Sequence, residues 1–243
     1  MENSLKQAYQ VRSYHINTVK KLSAHSLLDF LQETAGLHAN ASHFGMHDLR
    51  KKNQTWVLSR MYFEMDRWPV LEEIMTIETW PRGIDRLFAT RDFLILDRQH
   101  KQIGRASSYW LIVDRVSRRP QSPEQIAEHV AQDGRIAIDR KLEKIKPINH
   151  ISIEDHRRAY YTDTDMNGHV NNVRYSEWIL DSIPMEIHIA TTMKSMEINY
   201  LSEVLPGQDV IIQRSSMVNN TLYASVVLKD SRKEACRSVI TYY

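Results

Sequence analysis

Cysteine is almost missing from this chain: Cys236 is the only one in 243 residues. A single thiol can form no internal disulfide and no cysteine-based zinc site. Long apolar runs are missing too, since none approaches the ~18 to 20 residues that cross a bilayer. The opening "MENSLKQAYQ" has neither the basic nor the apolar region of a signal peptide. A cytoplasmic protein without membrane insertion is therefore expected, and sequons such as Asn53-Gln54-Thr55 carry no meaning there. Excess charge of one sign is lacking as well. The net charge is +2, and no helical stretch carries a basic stripe, which sets nucleic acid aside as a partner. There is no Gly-x-Ser-x-Gly elbow, no cysteine beside a plausible histidine, no His-Glu-x-x-His and no glycine-rich phosphate loop. Any chemistry must rest on carboxylate, amide and imidazole.

What is there is an ordinary globular composition, 42% apolar and 26% charged, long enough for one large domain or two modest ones. Residues 115–148 stand apart from both sides, being polar, charged and carrying three prolines. Within them Ser122-Pro123-Glu124-Gln125 has the form of a helix start, with serine as cap, proline at the first position and glutamine three residues after the cap. This predicts a linker with a short helix over 119–148, between domains at 1–118 and 149–243.

The two halves repeat a coarse order. After an opening strand, Leu27, Leu28, Leu31 and Ala35 share one helical face; Val173, Trp178, Ile179 and Ser182 do so in the second half. Four strand-like segments follow each helix: "TWVLSRMYFEM", "EEIMTIETW", "LFATRDFLIL" and "GRASSYWLIV", then "TMKSMEINYL", "QDVIIQRSSM", "TLYASVVLK" and "EACRSVITYY". A long helix and an antiparallel meander, twice over, give an α+β architecture with the sheet wrapped around the helix. Pro69 and Pro206 fall just before the second strand of each series, which fits a duplication.

The stretch "DTDMNGHVNN", from Asp163, opens like a calcium-binding loop. Its twelfth position, where such a loop needs a bidentate glutamate, is Arg174. Asp165, Asn167 and His169 alternate in an expected extended segment, which would point three different polar groups into one cavity. Asn171 or Asn172 would cap the helix that follows, and free N–H groups there favour developing negative charge.

The stretch "DTDMNGHVNNVRYSEWILDSIP" resembles, nearly throughout, a signature of the plant and bacterial acyl-acyl carrier protein (acyl-ACP) thioesterases. "FLQETAGLHA", "WVLSRMYFEMDRWP", "IETWPRGIDRLFATRDFLI" and "GRASSYWLIVD" are similar to the same family, so the likeness runs from about Tyr9 to the C-terminus. It implies a tandem double hotdog fold, each half a long helix wrapped by an antiparallel sheet, with the acyl chain in the first hotdog and catalysis in the second. It implies hydrolysis of acyl-ACP to a free fatty acid, with no cofactor and no metal. Carried over residue by residue, the catalytic groups are Asp165, Asn167, His169 and Glu203. The family's cysteine after that glutamate is Val204 here, which excludes a thiol nucleophile at that place and favours attack by water.

A mechanism that suits these residues has Glu203 with His169 orient and deprotonate water, Asn167 and the helix N–H groups hold the oxyanion, and Asp165 steady the set or share the base role; attack by Asp165 through a covalent anhydride stays open. Candidate acyl-chain residues are Leu27, Leu31, Ala35, Trp56, Met61 and Phe63. Acyl carrier protein, acidic in this family, would be met by Arg82, Arg86, Arg105, Arg115, Arg118 and Arg119. A monomer or homodimer is expected. Two other readings stay open: a hotdog thioesterase acting on coenzyme A thioesters, and a non-catalytic acyl-binding module.

Overall fold

β-branched and aromatic residues, alternating with polar ones, take the predicted strand segments into antiparallel ladders. The computed structural model describes residues 4–129 and 134–243. The chain divides into two compact units, residues 1–142 and 143–243. In the first unit the strands are β1 (Leu5–Gln10), β2 (Gln54–Met65), β3 (Ile74–Asp85), β4 (Phe88–Leu96), β5 (Gln102–Asp114) and the two-residue β6 (Pro120–Gln121). Their order is β1-β3-β4-β5-β2, with β6 added to β5. In the second unit they are β7 (Ile153–Arg158), β8 (Met193–Tyr200), β9 (Asp209–Arg214), β10 (Thr221–Leu228) and β11 (Glu234–Tyr242), ordered β7-β9-β10-β11-β8. Counted from its own first strand, the second unit repeats the strand order of the first.

The helices repeat as well: α1 (Ala24–Ala41) and α2 (Met46–Lys51), then α3 (Asn172–Asp181) and α4 (Met185–Ala190). Among the described residues, none is long and apolar enough to cross a membrane. Ser23 caps α1 by accepting the Ser26 N–H, and Asn171 caps α3 by accepting that of Val173. Leu27, Leu28, Leu31 and Ala35 are buried on α1, as are Val173, Trp178 and Ile179 on α3. Ser182 departs from the expected face: it is the C-cap, half-exposed, with its hydroxyl turned back to the Ile179 carbonyl. Tyr175 and Ser176 are buried in its stead. The α+β tandem hotdog architecture is thus present in both units.

Strands β3 and β4 are buried on both faces, which simple alternation does not predict. One face carries Arg91, whose guanidinium reaches His38 of α1 at 3.3 Å, and with it Phe93 and Ile95. The opposite face carries Glu78, Trp80 and Asp92, and it is covered by part of the segment expected as a linker. There the Trp80 indole donates to the Arg135 carbonyl, Arg82 to that of Ile138, and the Ala137 N–H to the Asp92 carboxylate at 2.8 Å. Arg135 lies over the Trp80 ring and pairs with Glu78 at 2.7 Å. Arg60 donates to the Leu142 carbonyl, and Ile138 and Leu142 are buried. Residues 134–142 are therefore a strap on the first unit. Upstream, Pro123–His129 form a 3-10 helix capped by Ser122, whose hydroxyl accepts the Glu124 N–H. Ile126 of that helix packs with Ala39, Phe44, Leu49, Ala89 and Ile112. The Gln125 side chain and residues 130–133 lie outside the described part.

The matched prolines are a coincidence of two positions. The Leu22 N–H donates to the Pro69 carbonyl at 2.8 Å, and the Val170 N–H donates to that of Val204 at 2.9 Å. Pro69 therefore corresponds to Val204, and Pro206 lies two residues further on. The duplication stands on strand order and on these bonds.

Leu31, fully buried at the centre of α1, anchors the first unit. Leu31→Ala should cost about 2 to 5 kcal/mol, read as a lower urea midpoint for unfolding of that unit.

Candidate active site

The segment from Asp165 to His169 is a closed turn, and the extended strand expected from the alternating residues does not form. Thr164 and Val170 bridge across its base. Inside it the Asp165 N–H donates to the His169 carbonyl at 2.8 Å and the Gly168 N–H to that of Asp165 at 3.0 Å. The Asp165 carboxylate accepts the Asn167 N–H at 2.8 Å, the bond of an Asx turn. Gly168 has φ +77°, where a side chain strains the backbone.

The four candidate groups form two pairs, three of them on this turn and Glu203 on the loop after β8. Asn167 donates its side-chain amide to Asp165 at 3.3 Å, which orients the amide. His169 Nδ1 lies 3.4 Å from Glu203 Oε1, with the side chains 28% and 42% exposed. That separation is long for a hydrogen bond, as is common at catalytic pairs before substrate closes them. Asn167 and Glu203 are exposed, and Asp165 and His169 half-buried, so water and substrate can reach the cluster.

The helix that follows contributes less than its sequence promised. Asn171 is the cap, and its side chain takes the Val173 N–H at 2.9 Å; its carbonyl takes that of Arg174. Of the first three N–H groups of α3, two are thus occupied, which leaves that of Asn172. Nor do the acids of this stretch converge on a cation. Asp163 is buried and accepts the Tyr160 N–H, while Arg174 pairs with Glu177 at 2.5 Å. Among the described residues no group of three or more acids, histidines or cysteines could hold a metal ion.

The first unit contains the same turn with other side chains. Ile16 and Leu22 bridge its base, the Asn17 N–H donates to the Lys21 carbonyl at 2.8 Å, and the Lys20 N–H to that of Asn17 at 3.0 Å. The Asn17 side chain accepts the Val19 N–H at 3.2 Å. Asn17, Val19 and Lys21 therefore stand where the second unit has Asp165, Asn167 and His169. Trp68, preceding Pro69, stands where it has Glu203. None of these four residues supplies a carboxylate or an imidazole.

The remaining candidates divide. Leu27, Leu31, Ala35, Met61 and Phe63 are core residues of the first unit, and Trp56, partly buried, donates its indole N–H to the Phe44 carbonyl at 2.9 Å. Arg82 is engaged by the strap and Arg105 by Glu64. Arg86, Arg115, Arg118 and Arg119 are exposed, at the β3–β4 turn and just after β5. Cys236 is fully buried in β11, and burial pushes its thiol up to about 12, so it is neither nucleophile nor metal ligand.

Residues 2–131 match the family model described as the acyl-ACP thioesterase N-terminal domain, and residues 149–242 the C-terminal domain of the same family. The chain is 31% identical, over 227 residues, to the chloroplastic palmitoyl-acyl carrier protein thioesterase of Arabidopsis thaliana, covering 88% of this chain and 55% of that one. Against the chloroplastic oleoyl-acyl carrier protein thioesterase of Coriandrum sativum the identity is 31% over 221 residues, 82% of this chain and 59% of the other. The chain thus spans a little over half the length of these curated relatives. The crystal structure of an acyl-ACP thioesterase from Bacteroides thetaiotaomicron superposes with a TM-score of 0.91 at 28% identity, covering 99% of this chain and 98% of that one. The 12:0-ACP thioesterase from Umbellularia californica shares the fold, with a TM-score of 0.90 at 19% identity over 100% of this chain and 98% of that one.

Two outcomes follow from the turn and the thiol. A Cβ on Gly168 would meet no atom within 4 Å, and Lys20 holds φ +60° at the corresponding place. Gly168→Ala should therefore fold, less stable by about 1 kcal/mol in a denaturant titration. A thiol-specific reagent should leave Cys236 unmodified in the native protein at pH 8 and modify it on unfolding.

Proposed function

Because this chain belongs to the acyl-ACP thioesterase family, we propose that it hydrolyses the thioester joining an acyl group to acyl carrier protein, releasing a free fatty acid and the carrier's thiol. The observation that carries the reading is the His169–Glu203 pair beside the Asp165–Asn167 pair, all four within reach of water.

A thioester carbonyl is poorly stabilised by resonance, so a positioned water can attack it without a covalent enzyme intermediate. Glu203, with His169, takes a proton from that water as its oxygen bonds to the carbonyl carbon. The carbonyl oxygen becomes an oxyanion held by the Asn167 amide, which Asp165 keeps turned. Collapse of the oxyanion breaks the carbon–sulfur bond, and the proton returns to the leaving sulfur through the same pair. One oriented donor at an oxyanion is worth roughly 3 to 4 kcal/mol in well-studied cases. Val204 rules out a thiol in the position after Glu203, and Cys236 is inaccessible.

The first unit takes the acyl chain on this reading, with Leu27, Leu31, Ala35, Trp56, Met61 and Phe63 as its candidate contacts. The acidic carrier is met by the exposed Arg86, Arg115, Arg118 and Arg119.

The test is release of free fatty acid from acyl-ACPs of graded chain length, with acyl-coenzyme A of the same chains alongside. Wild type should turn over acyl-ACP, and His169→Ala and Glu203→Gln should each lose at least ~100-fold in kcat, about 2.7 kcal/mol of barrier. Binding without release would make the protein an acyl-carrier sensor, and preference for the coenzyme A forms would move the substrate class. Arg115→Glu with Arg119→Glu should raise KM for acyl-ACP at low salt, and the effect should fade as salt rises.

A further inference from the structure

Tyr175 has no role in the mechanism so far, yet its hydroxyl lies at the site's foundation. It is 3% exposed on α3, its ring packed against Trp178 and Tyr200 at centroid distances of 5.5 and 5.9 Å. Its Oη accepts the Val204 N–H at 3.0 Å. The carbonyl of the same residue, Val204, accepts the Val170 N–H at 2.9 Å. The residue next to Glu203 is thus tied on its N–H side to α3 and on its carbonyl side to the base of the Asp165–His169 turn.

The first unit supplies an internal comparison. Counting from the caps Ser23 and Asn171, Tyr175 corresponds to Leu27. Val204 corresponds to Pro69 by the paired backbone bonds. Where the carboxylate is replaced by Trp68, the N–H is replaced by a proline that has none, and the hydroxyl by a leucine that offers none. Both halves of the bond are absent from the copy that has no glutamate to hold.

Resting on the hydrolase reading above, we propose that Tyr175 is a positioning residue: by accepting the Val204 N–H, its buried hydroxyl fixes the Glu203 carboxylate beside His169. It touches no reacting atom. Burial raises the phenol's pKa further above its ordinary value, so the group remains a neutral hydroxyl through the working pH range and takes no part in proton transfer.

The experiment is Tyr175→Phe, which keeps the ring and removes only the acceptor, studied by amide exchange and by kinetics in both the wild-type and Glu203→Gln backgrounds. The Val204 amide should exchange at least ~10-fold faster. The kcat should fall about 10-fold with KM within about twofold, and in the Glu203→Gln background the same change should leave kcat where it was. An equal proportional loss in both backgrounds would make the effect merely structural and overturn the proposal, as would faster exchange with kcat unchanged. Unchanged exchange would overturn the tether itself, whatever the kinetics. A wild type that hydrolyses no acyl thioester overturns the hydrolase reading instead, and the exchange result still decides the tether. If Tyr175→Phe does not fold, Tyr175→Leu with Val204→Pro, which copies the Leu27–Pro69 pair, takes its place in the kinetic comparison with the same expectations.

Discussion

The hydrogen bond from the Val170 N–H to the Val204 carbonyl joins two stretches of chain 34 residues apart (204 − 170). On one side of it sits a turn that carries Asp165, Asn167 and His169; on the other, a short loop that carries Glu203. Side-chain chemistry of this kind needs groups placed to within a fraction of an ångström, and side chains alone do not hold such placement. Here the backbone supplies it. The turn is closed by its own amide bonds, the loop is bonded to its base through Val204, and His169 Nδ1 lies 3.4 Å from Glu203 Oε1.

The first unit shows that this frame and the chemistry it carries are separable. Its turn repeats the closure, the left-handed residue and the bond to the following loop, but presents Asn17, Val19 and Lys21, with Trp68 in the loop. The frame is a property of the fold, built from Asx-turn bonds and a helix cap that any of several polar residues can make. The pair His169–Glu203 is a property of two side chains. A tandem chain can thus keep one frame for structure and arm the other.

Much of this was legible beforehand, because it rests on periodicity and local turn chemistry. The strands and both long helices fall where alternation and apolar faces place them, and Asn171 caps α3 as its position suggests. The turn at Asp165 is not legible because alternate spacing is ambiguous: the same residues that would line one face of a strand also close an Asx turn once Gly168 can take positive φ. Ser182 leaves the apolar face because a serine near a helix end competes as a cap. Tyr175 lay within the quoted signature but gave no signal, since its partner is a backbone N–H 29 residues away. The strap has the composition of a linker because its polar and charged residues bind through backbone carbonyls and buried acids, which composition cannot distinguish from solvation.

That strap changes what counts as a whole first unit. Trp80, Glu78 and Asp92 lie on a sheet face that residues 134–142 help to cover, and those residues are the last of that unit to leave the ribosome. A nascent chain that had made only residues 1–118 would lack the strap's partners of these side chains: the Arg135 carbonyl at Trp80, the Ala137 N–H at Asp92 and the Arg135 guanidinium at Glu78. Its folding can therefore be completed only when residues 134–142 arrive, so the segment between the hotdogs acts, during synthesis, as the closing step of the first rather than the approach to the second.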